Sequence, residues 1–363
     1  MTRVVTFGEI MARLAPPGFL RLRQAVPGTL EVTFAGAEAN VAASLVNLGS
    51  AAALVTALPD NPLADACVQT LRGLGIDTQY ILRANAGRLG LYFVETGANQ
   101  RPSRVLYDRA GSSISLAAPD AFDWNVIFDG VSWFHVTGIT PALSRRAADA
   151  TLHAVQCAKR HGLTVSCDLN FRGKLWRWEP PTPARDLAGR VMRQVLPHVD
   201  VLIANEEDCG DVLGIRAGQT DVEAGQLDVE HYPDMARQVV AQFPNMRFVA
   251  TTLRQSISAS HNNWGAMLLD VVADDAHFAP CRDGAFQPYE IRNIVDRVGG
   301  GDAFAAGLIF GLTQGGRTDT SRALDFATAA SCLAHSIRGD FNFVSRPEVE
   351  ALVGGGASGR VVR

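Results

Sequence analysis

Short runs rich in β-branched and aromatic residues alternate along the chain with longer stretches whose apolar positions recur at helical spacing. The strand-like runs are Val4 to Ile10, Ala53 to Ala57, Val131 to Val136, Leu163 to Asp168, Val201 to Ala204, Phe248 to Thr252 and Ala266 to Val272. Between them, Ala37, Val41, Leu45 and Leu48 mark one face of a helix that stops at Gly49, and Ser144 to His161 reads as a second. This rhythm predicts an α/β fold whose helices cover a central sheet. Several strands run into polar residues, Asp168-Leu169-Asn170 and Asn205-Glu206-Glu207-Asp208 among them. In open parallel sheets ligand crevices form at that carboxyl edge, so the chemistry is expected there.

Two regions break the alternation. Met11 to Phe34 is one, and Leu89 to Ser113 is the other, with Leu91-Tyr92-Phe93-Val94 and Ser103-Arg104-Val105-Leu106-Tyr107 flanking a polar turn like a hairpin. Together they would make a small β layer, either a plain surface feature or a lid that excludes water from a reaction. Ala217 to Tyr232 is polar and acidic, as in a loop insertion, and residues 351–363, with their glycine-rich run, read as a flexible tail.

Composition narrows the partners. With 33 basic and 37 acidic residues among 363, the net charge of −4 gives no footing for nucleic acid or an anionic membrane, so a small-molecule partner is expected. The six cysteines lie far apart without a C-x-x-C pair, which signals neither zinc nor a disulfide framework. The chain passes from Arg3 directly into Val4-Val5-Thr6-Phe7 with no secretory leader pattern, and no apolar stretch reaches membrane-spanning length, so a cytoplasmic protein is expected.

The densest chemistry lies in Asp296 to Phe304, D-R-V-G-G-G-D-A-F. Gly299, Gly300 and Gly301 permit a tight turn and close ligand approach, and the free N–H groups of the helix that follows make an anion site. Asp302 at that helix's start could accept a proton from a hydroxyl while the glycine amides hold charge on a phosphoryl group. The other reading is an ordinary turn with Asp302 as a cap. A dinucleotide fingerprint fails because Phe304 stands where its third glycine belongs, and no Walker lysine motif occurs.

Gly36-Ala37-Glu38-Ala39-Asn40, Asp168-Leu169-Asn170-Phe171-Arg172, Asn205-Glu206-Glu207-Asp208 and Asp296 to Asp302 together resemble the ribokinase-like, or PfkB-type, carbohydrate kinases. Tyr107-Asp108-Arg109 and the D-R-V-G-G-G-D-A-F form resemble the 2-keto-3-deoxygluconate kinases within that family. The resemblance implies a three-layer α/β sandwich with a mainly parallel sheet over residues 1–350, a β lid from about 11–34 and 89–113, and homo-oligomeric assembly. It implies ATP and Mg²⁺, with a monovalent cation as a further candidate, and a sugar acid as acceptor. Asp302 would be the base and Gly299, Gly300 and Gly301 the anion hole. Substrate contacts would come from Gly36, Ala37, Glu38, Asn40, Tyr92, Tyr107, Arg109, Arg172 and Asp340. Nucleotide contacts would come from Asn205, Thr252, Arg254, Ser256, Gly299 and Gly301. Glu206, Glu207 and Asp208 would support magnesium through water, although Asp208 stands where the family's N-x-x-E motif has Glu.

Chemistry supports part of this and leaves alternatives. An arginine fork suits a carboxylate, which favours a sugar acid at Arg109, but an arginine on a hairpin is also commonly just solvated. Asn40 can donate to and accept from hydroxyls, or simply start a helix. The helix terminus is expected to keep Asp302 ionised and weakly basic. His135 could be catalytic but reads more readily as a core or edge histidine, and Trp176 and Trp178 as covering an exposed helix or interface rather than as an aromatic sugar platform. A neutral-sugar kinase such as a fructokinase, or a non-catalytic sugar sensor on the same fold, remains the alternative.

Overall fold

The computed structural model describes residues 2–216, 229–314 and 319–356. Most of the expected insertion at Ala217 to Tyr232 and the tail from residue 357 onward lie outside the described residues. The strands Arg3–Phe7, Ala51–Pro59, Ile81–Ala84, Trp133–Thr137, Thr164–Asp168, Val201–Ala204 and Phe248–Ser258 pair in parallel. Across the sheet they lie in the order Phe248–Ser258, Val201–Ala204, Thr164–Asp168, Trp133–Thr137, Arg3–Phe7, Ala51–Pro59, Ile81–Ala84. His261–Asp270 and Asp275–Ala279 extend one edge antiparallel.

Period-two alternation divides these strands between two cores. Val5, Phe7, Ala53, Val55 and Leu202 face one side, packed against the helices Arg145–Arg160, Ala184–Val195 and Tyr232–Gln242. Val4, Ala52, Leu54 and Ile203 face the other, against Ala37–Asn47, Pro62–Gly73, Gly300–Thr313 and Thr320–Ala334. Neighbouring residues of one strand thus enter opposite cores, as a sheet buried on both faces requires. The result is a three-layer sandwich.

The two regions that broke the alternation form one four-stranded sheet. Its order is Glu31–Ala35, Met11–Ala15, Gly90–Glu95, Arg104–Asp108. The last two strands pair antiparallel with Tyr92 opposite Tyr107, so the second region is a hairpin. Met11–Ala15 follows the first strand of the main sheet after three residues, which places the small sheet at the carboxyl edge.

Two expectations need correction. The strand expected at Ala266 to Val272 spans His261–Asp270, and Val272 lies exposed in a turn whose backbone is taken up by the Asp270 side chain. Trp176 covers no surface but lies within a core, 1% exposed. Trp178 is partly buried and donates from its indole to the carbonyl of Pro141 at 3.2 Å. None of the six cysteines forms a disulfide, and among the described residues no helix is long and apolar enough to cross a membrane.

The helix that begins at the glycine run is set by close packing. A Cβ on Gly307 would come within 2.8 Å of Ala327 Cα, and one on Gly311 within 2.8 Å of Ala323 Cα. Phe310 and Phe326 stack at 5.0 Å further along the pair. Gly307→Val should therefore force the helices apart and cost about 1–3 kcal/mol, read as a lower midpoint in denaturant unfolding. An unchanged midpoint would mean that this contact does not hold the helix in place.

Candidate active site

The glycine run folds as a helix N-terminus. Gly299 is the N-cap at φ 89°, a conformation in which a side chain would be strained, and a Cβ there would meet the carbonyl of Asp340 at 2.3 Å. Gly301 has open space around its Cα and is exposed to the cavity. The first-turn N–H groups therefore face a space where a ligand can approach.

Asp302 is the third residue of the helix Gly300–Thr313, buried at the cavity wall. Its Oδ2 accepts from Asn40 Nδ2 at 2.7 Å, while Asn40 Oδ1 accepts from the Gly36 amide at 3.2 Å. Asn40 thus links the start of one helix to the carboxylate on another. Burial raises the Asp302 pKa to about 6 against the lowering effect of that hydrogen bond. Burial thus makes Asp302 more basic than the weak base expected at a helix terminus.

Beneath this helix start lies a buried arginine that sequence reading missed. Arg13, on Met11–Ala15, pairs with Asp296 through Nη2 and with Asp340 through Nη1 at 2.5 Å. Tyr92 Oη donates to the other oxygen of Asp340 at 2.7 Å. Asp296 also accepts from the amides of Arg297, Val298 and Gly339. One guanidinium therefore joins the small sheet, the glycine loop and the Asp340 loop. Burial depresses its pKa, but Asp340 and Asp296 outweigh that and raise it. In sequence, an arginine in an otherwise apolar strand, M-A-R-L-A, was the available signal.

The small sheet supplies Met11, Tyr92, Val105, Tyr107 and, just past its last strand, Arg109 to the cavity wall. Arg109 is buried rather than solvated, 7% exposed, with its guanidinium over the Tyr107 ring at 5.2 Å. Its Nε donates to Glu9 Oε2 at 2.6 Å and Nη2 pairs with the same oxygen. Part of the fork expected to hold an acid is thus already engaged by Glu9. Glu38, expected at the sugar, is instead buried behind the wall, where Thr137 and Thr140 donate to it at 2.7 and 3.1 Å. Burial lifts its pKa to about 7. A Cβ on Gly8 would collide with its carboxyl group, so that glycine makes its room.

Opposite lie Asp168, Asn170, Arg172, Asn205, Glu207 and Asp208. Asn205 Oδ1 accepts from the Asp208 amide at 2.7 Å, and Asp208 Oδ1 accepts from the Phe171 amide at 3.1 Å. Burial raises Asp208 to about 6 despite Arg172, and burial with the charges of Asp208 and Asp302 raises Asp168 well above the usual range. The side chain of Glu206 lies outside the described residues. Thr252, Arg254, Asn262, Trp264, Arg297 and His335 close the remaining side, whereas Ser256 is exposed and outside the wall. Glu9, Arg297, Trp264 and His335 were not singled out from sequence, although Arg297 lies inside the glycine motif. His135 is a core residue, its Nδ1 2.8 Å from Ser166 Oγ, and burial lowers its pKa to about 3.

A cavity of about 370 Å³ thus joins an anion-binding helix start, a buried carboxylate at hydrogen-bonding distance from an amide, and two flanking arginine-bearing walls. A model of the pfkB family of carbohydrate kinases matches residues 1–344. The chain belongs to the pfkB family of carbohydrate kinases. It is 34% identical to a 2-dehydro-3-deoxygalactonokinase of Haloferax volcanii, over 98% of both chains. It is 45% identical to the crystal structure of a 2-dehydro-3-deoxygluconokinase from Thermotoga maritima, with a TM-score of 0.88 over 98% of this chain and all of that one. A fructokinase of Klebsiella pneumoniae is 28% identical over 91% of each.

In this pfkB-family kinase the buried Arg13 network is the part most exposed to a single substitution. Arg13→Met leaves Asp296 and Asp340 without their cation and should cost about 3–5 kcal/mol in denaturant unfolding. A loss below about 1 kcal/mol would show that the two carboxylates are neutral or otherwise compensated.

Proposed function

We propose that this kinase transfers the γ-phosphoryl group of ATP to the primary hydroxyl of a 2-keto-3-deoxy sugar acid, with 2-keto-3-deoxygluconate as substrate. The observation that carries the reading is the placement of Asp302 and Arg109 on walls of one cavity, with the glycine amides beside the former. The names of the relatives from Haloferax volcanii, a 2-dehydro-3-deoxygalactonokinase, and Thermotoga maritima, a 2-dehydro-3-deoxygluconokinase, both support a keto-deoxy sugar acid, and the second supports the gluco epimer.

Asp302 takes the proton as the acceptor oxygen forms its bond to the γ-phosphorus and the bond to the ADP oxygen breaks. Asn40, fixed by the Gly36 amide, orients the carboxylate, and the amides at the helix start meet the charge on the phosphoryl oxygens. A pKa near 6 leaves Asp302 mostly ionised at neutral pH yet more basic than an exposed aspartate. Tyr92 and Tyr107 wall the acceptor pocket, and Arg109 meets the acid end through the donor that Glu9 leaves free.

The site also suits a hard cation: Asp168 and Asp208 are buried carboxylates with raised pKa values, and Asn170 Oδ1 is buried without a partner. Among the described residues no cluster of three acids, histidines or cysteines could hold a metal alone, which fits an ion completed by phosphates and water. Mg²⁺ bound there would neutralise the charge of the β and γ phosphates. A homo-oligomer in the cytoplasm belongs to the same reading. The pairing of Glu9 with Arg109 favours a second one, a neutral-sugar kinase, because it balances the arginine before any acid arrives.

Asp302→Ala should lower kcat roughly 10²–10⁴-fold with a modest change in KM, and near-normal turnover would remove it as the base. Because the carboxylate is the active form, kcat/KM of the wild type should fall about tenfold per unit as pH drops below about 6. A flat profile between pH 5 and 7 would contradict the buried environment assigned to it. Arg109→Ala should raise KM for the keto-deoxy acid and leave fructose little affected. Equal losses on both would favour the neutral-sugar reading.

A further inference from the structure

Two guanidiniums flank the glycine loop with no ion pair of their own among the described residues. Arg254, on Phe248–Ser258, is exposed at the cavity wall. Arg297 lies two residues before Gly299 and is partly buried at the same wall. Its Nη2 donates to the carbonyls of Ser258 and Ala259 at 3.0 and 2.7 Å, and its Nε is buried without a partner. The adjacent Asp296 offsets the charge of Arg297 only in part, since its carboxylate is also engaged by Arg13 and by three backbone amides.

The two cations feel each other. Burial lowers the Arg297 pKa and the charge of Arg254 lowers it further; His335 is likewise depressed by burial and by both arginines. Like charges held together in a partly desolvated wall are destabilising, and an anion placed between them removes that cost. Arg297 is also held in place before any ligand arrives. The turn whose carbonyls it binds is gripped from the other side by the loop of the small sheet, through Ala259 N to the carbonyl of Asn99 at 2.7 Å and Asn99 N to Ser260 Oγ at 3.0 Å. A donor fixed in advance is what charge stabilisation in phosphoryl transfer requires.

We infer that Arg297 is a further phosphate-binding residue, which with Arg254 takes the terminal phosphates of the nucleoside triphosphate and makes the site prefer the triphosphate to the diphosphate. Terminal phosphates are assigned because Arg297 adjoins Gly299 to Gly301, whose amides receive the transferred group. The inference rests on the kinase reading above and deepens it.

The test is calorimetric binding of ADP and of a non-hydrolysable ATP analogue, each with Mg²⁺, to wild type, Arg297→Gln and Arg297→Lys, with thermal melts as a check on folding. The wild type should bind the analogue more tightly than ADP. Arg297→Gln should reduce that preference by about 10-fold or more, the size expected for a lost charge-assisted hydrogen bond, and Arg297→Lys by less. Equal weakening of both nucleotides, or no change in either, would overturn the inference and leave Arg297 as a staple between two turns. Should Arg297→Gln not fold, Arg254→Gln reads the same ratio without touching the carbonyl bonds, and an unchanged ratio there would overturn the pairing. A wild type that binds neither nucleotide would be a different failure, that of the kinase reading itself.

Discussion

The buried Arg13 guanidinium is the constraint on which the active site depends. It binds Asp296, which opens the glycine loop, and Asp340, whose carbonyl occupies the space that a side chain on Gly299 would need. Through its own strand it anchors the small sheet, and through Asp340 it reaches Tyr92. Three segments far apart in sequence are thereby registered on one cation. Such a network tolerates little slack, because each charge left alone in the interior carries its full desolvation penalty.

Around that anchor the cavity wall carries charges of both signs. Asp302 at the glycine loop and Asp168 and Asp208 on the opposite wall have raised pKa values, and Arg254 and Arg297 flank the glycine loop. Burial disfavours the charge on these carboxylates and on Arg297 until a ligand of opposite sign arrives. The free protein thus holds interactions in reserve that ligands of opposite charge can complete. For the acids the consequence for stability has a definite sign: their folded pKa values lie above those of an unfolded chain, so their stabilising contribution is present at low pH and is lost as pH rises through about 6.

Much of this arrangement was legible in the chain, and the limits are instructive. The parallel core strands, the helix Ala37–Asn47 and the helix start at the glycine run follow from local patterns, since period-two and helical spacing are properties of contiguous residues. Asp302, Asn40, Arg172 and Tyr107, which the family resemblance singled out, lie on the walls of one cavity. What local pattern could not give was pairing at a distance. Arg13 and Asp340 are separated by 327 positions, and Arg109 and Glu9 by 100. Nor did it predict depth: Glu38 and Trp176 went inside because neighbouring layers closed over them, and the basicity of Asp302 is set by that closure more than by its helix.

The claim that this site phosphorylates a sugar acid is tested most directly by ADP release from purified protein with ATP and Mg²⁺. The acceptors to compare side by side are 2-keto-3-deoxygluconate, its galacto epimer, fructose and ribose. The account predicts strong turnover of a keto-deoxy acid and little of the neutral sugars. Turnover of fructose or ribose without the acids would contradict it.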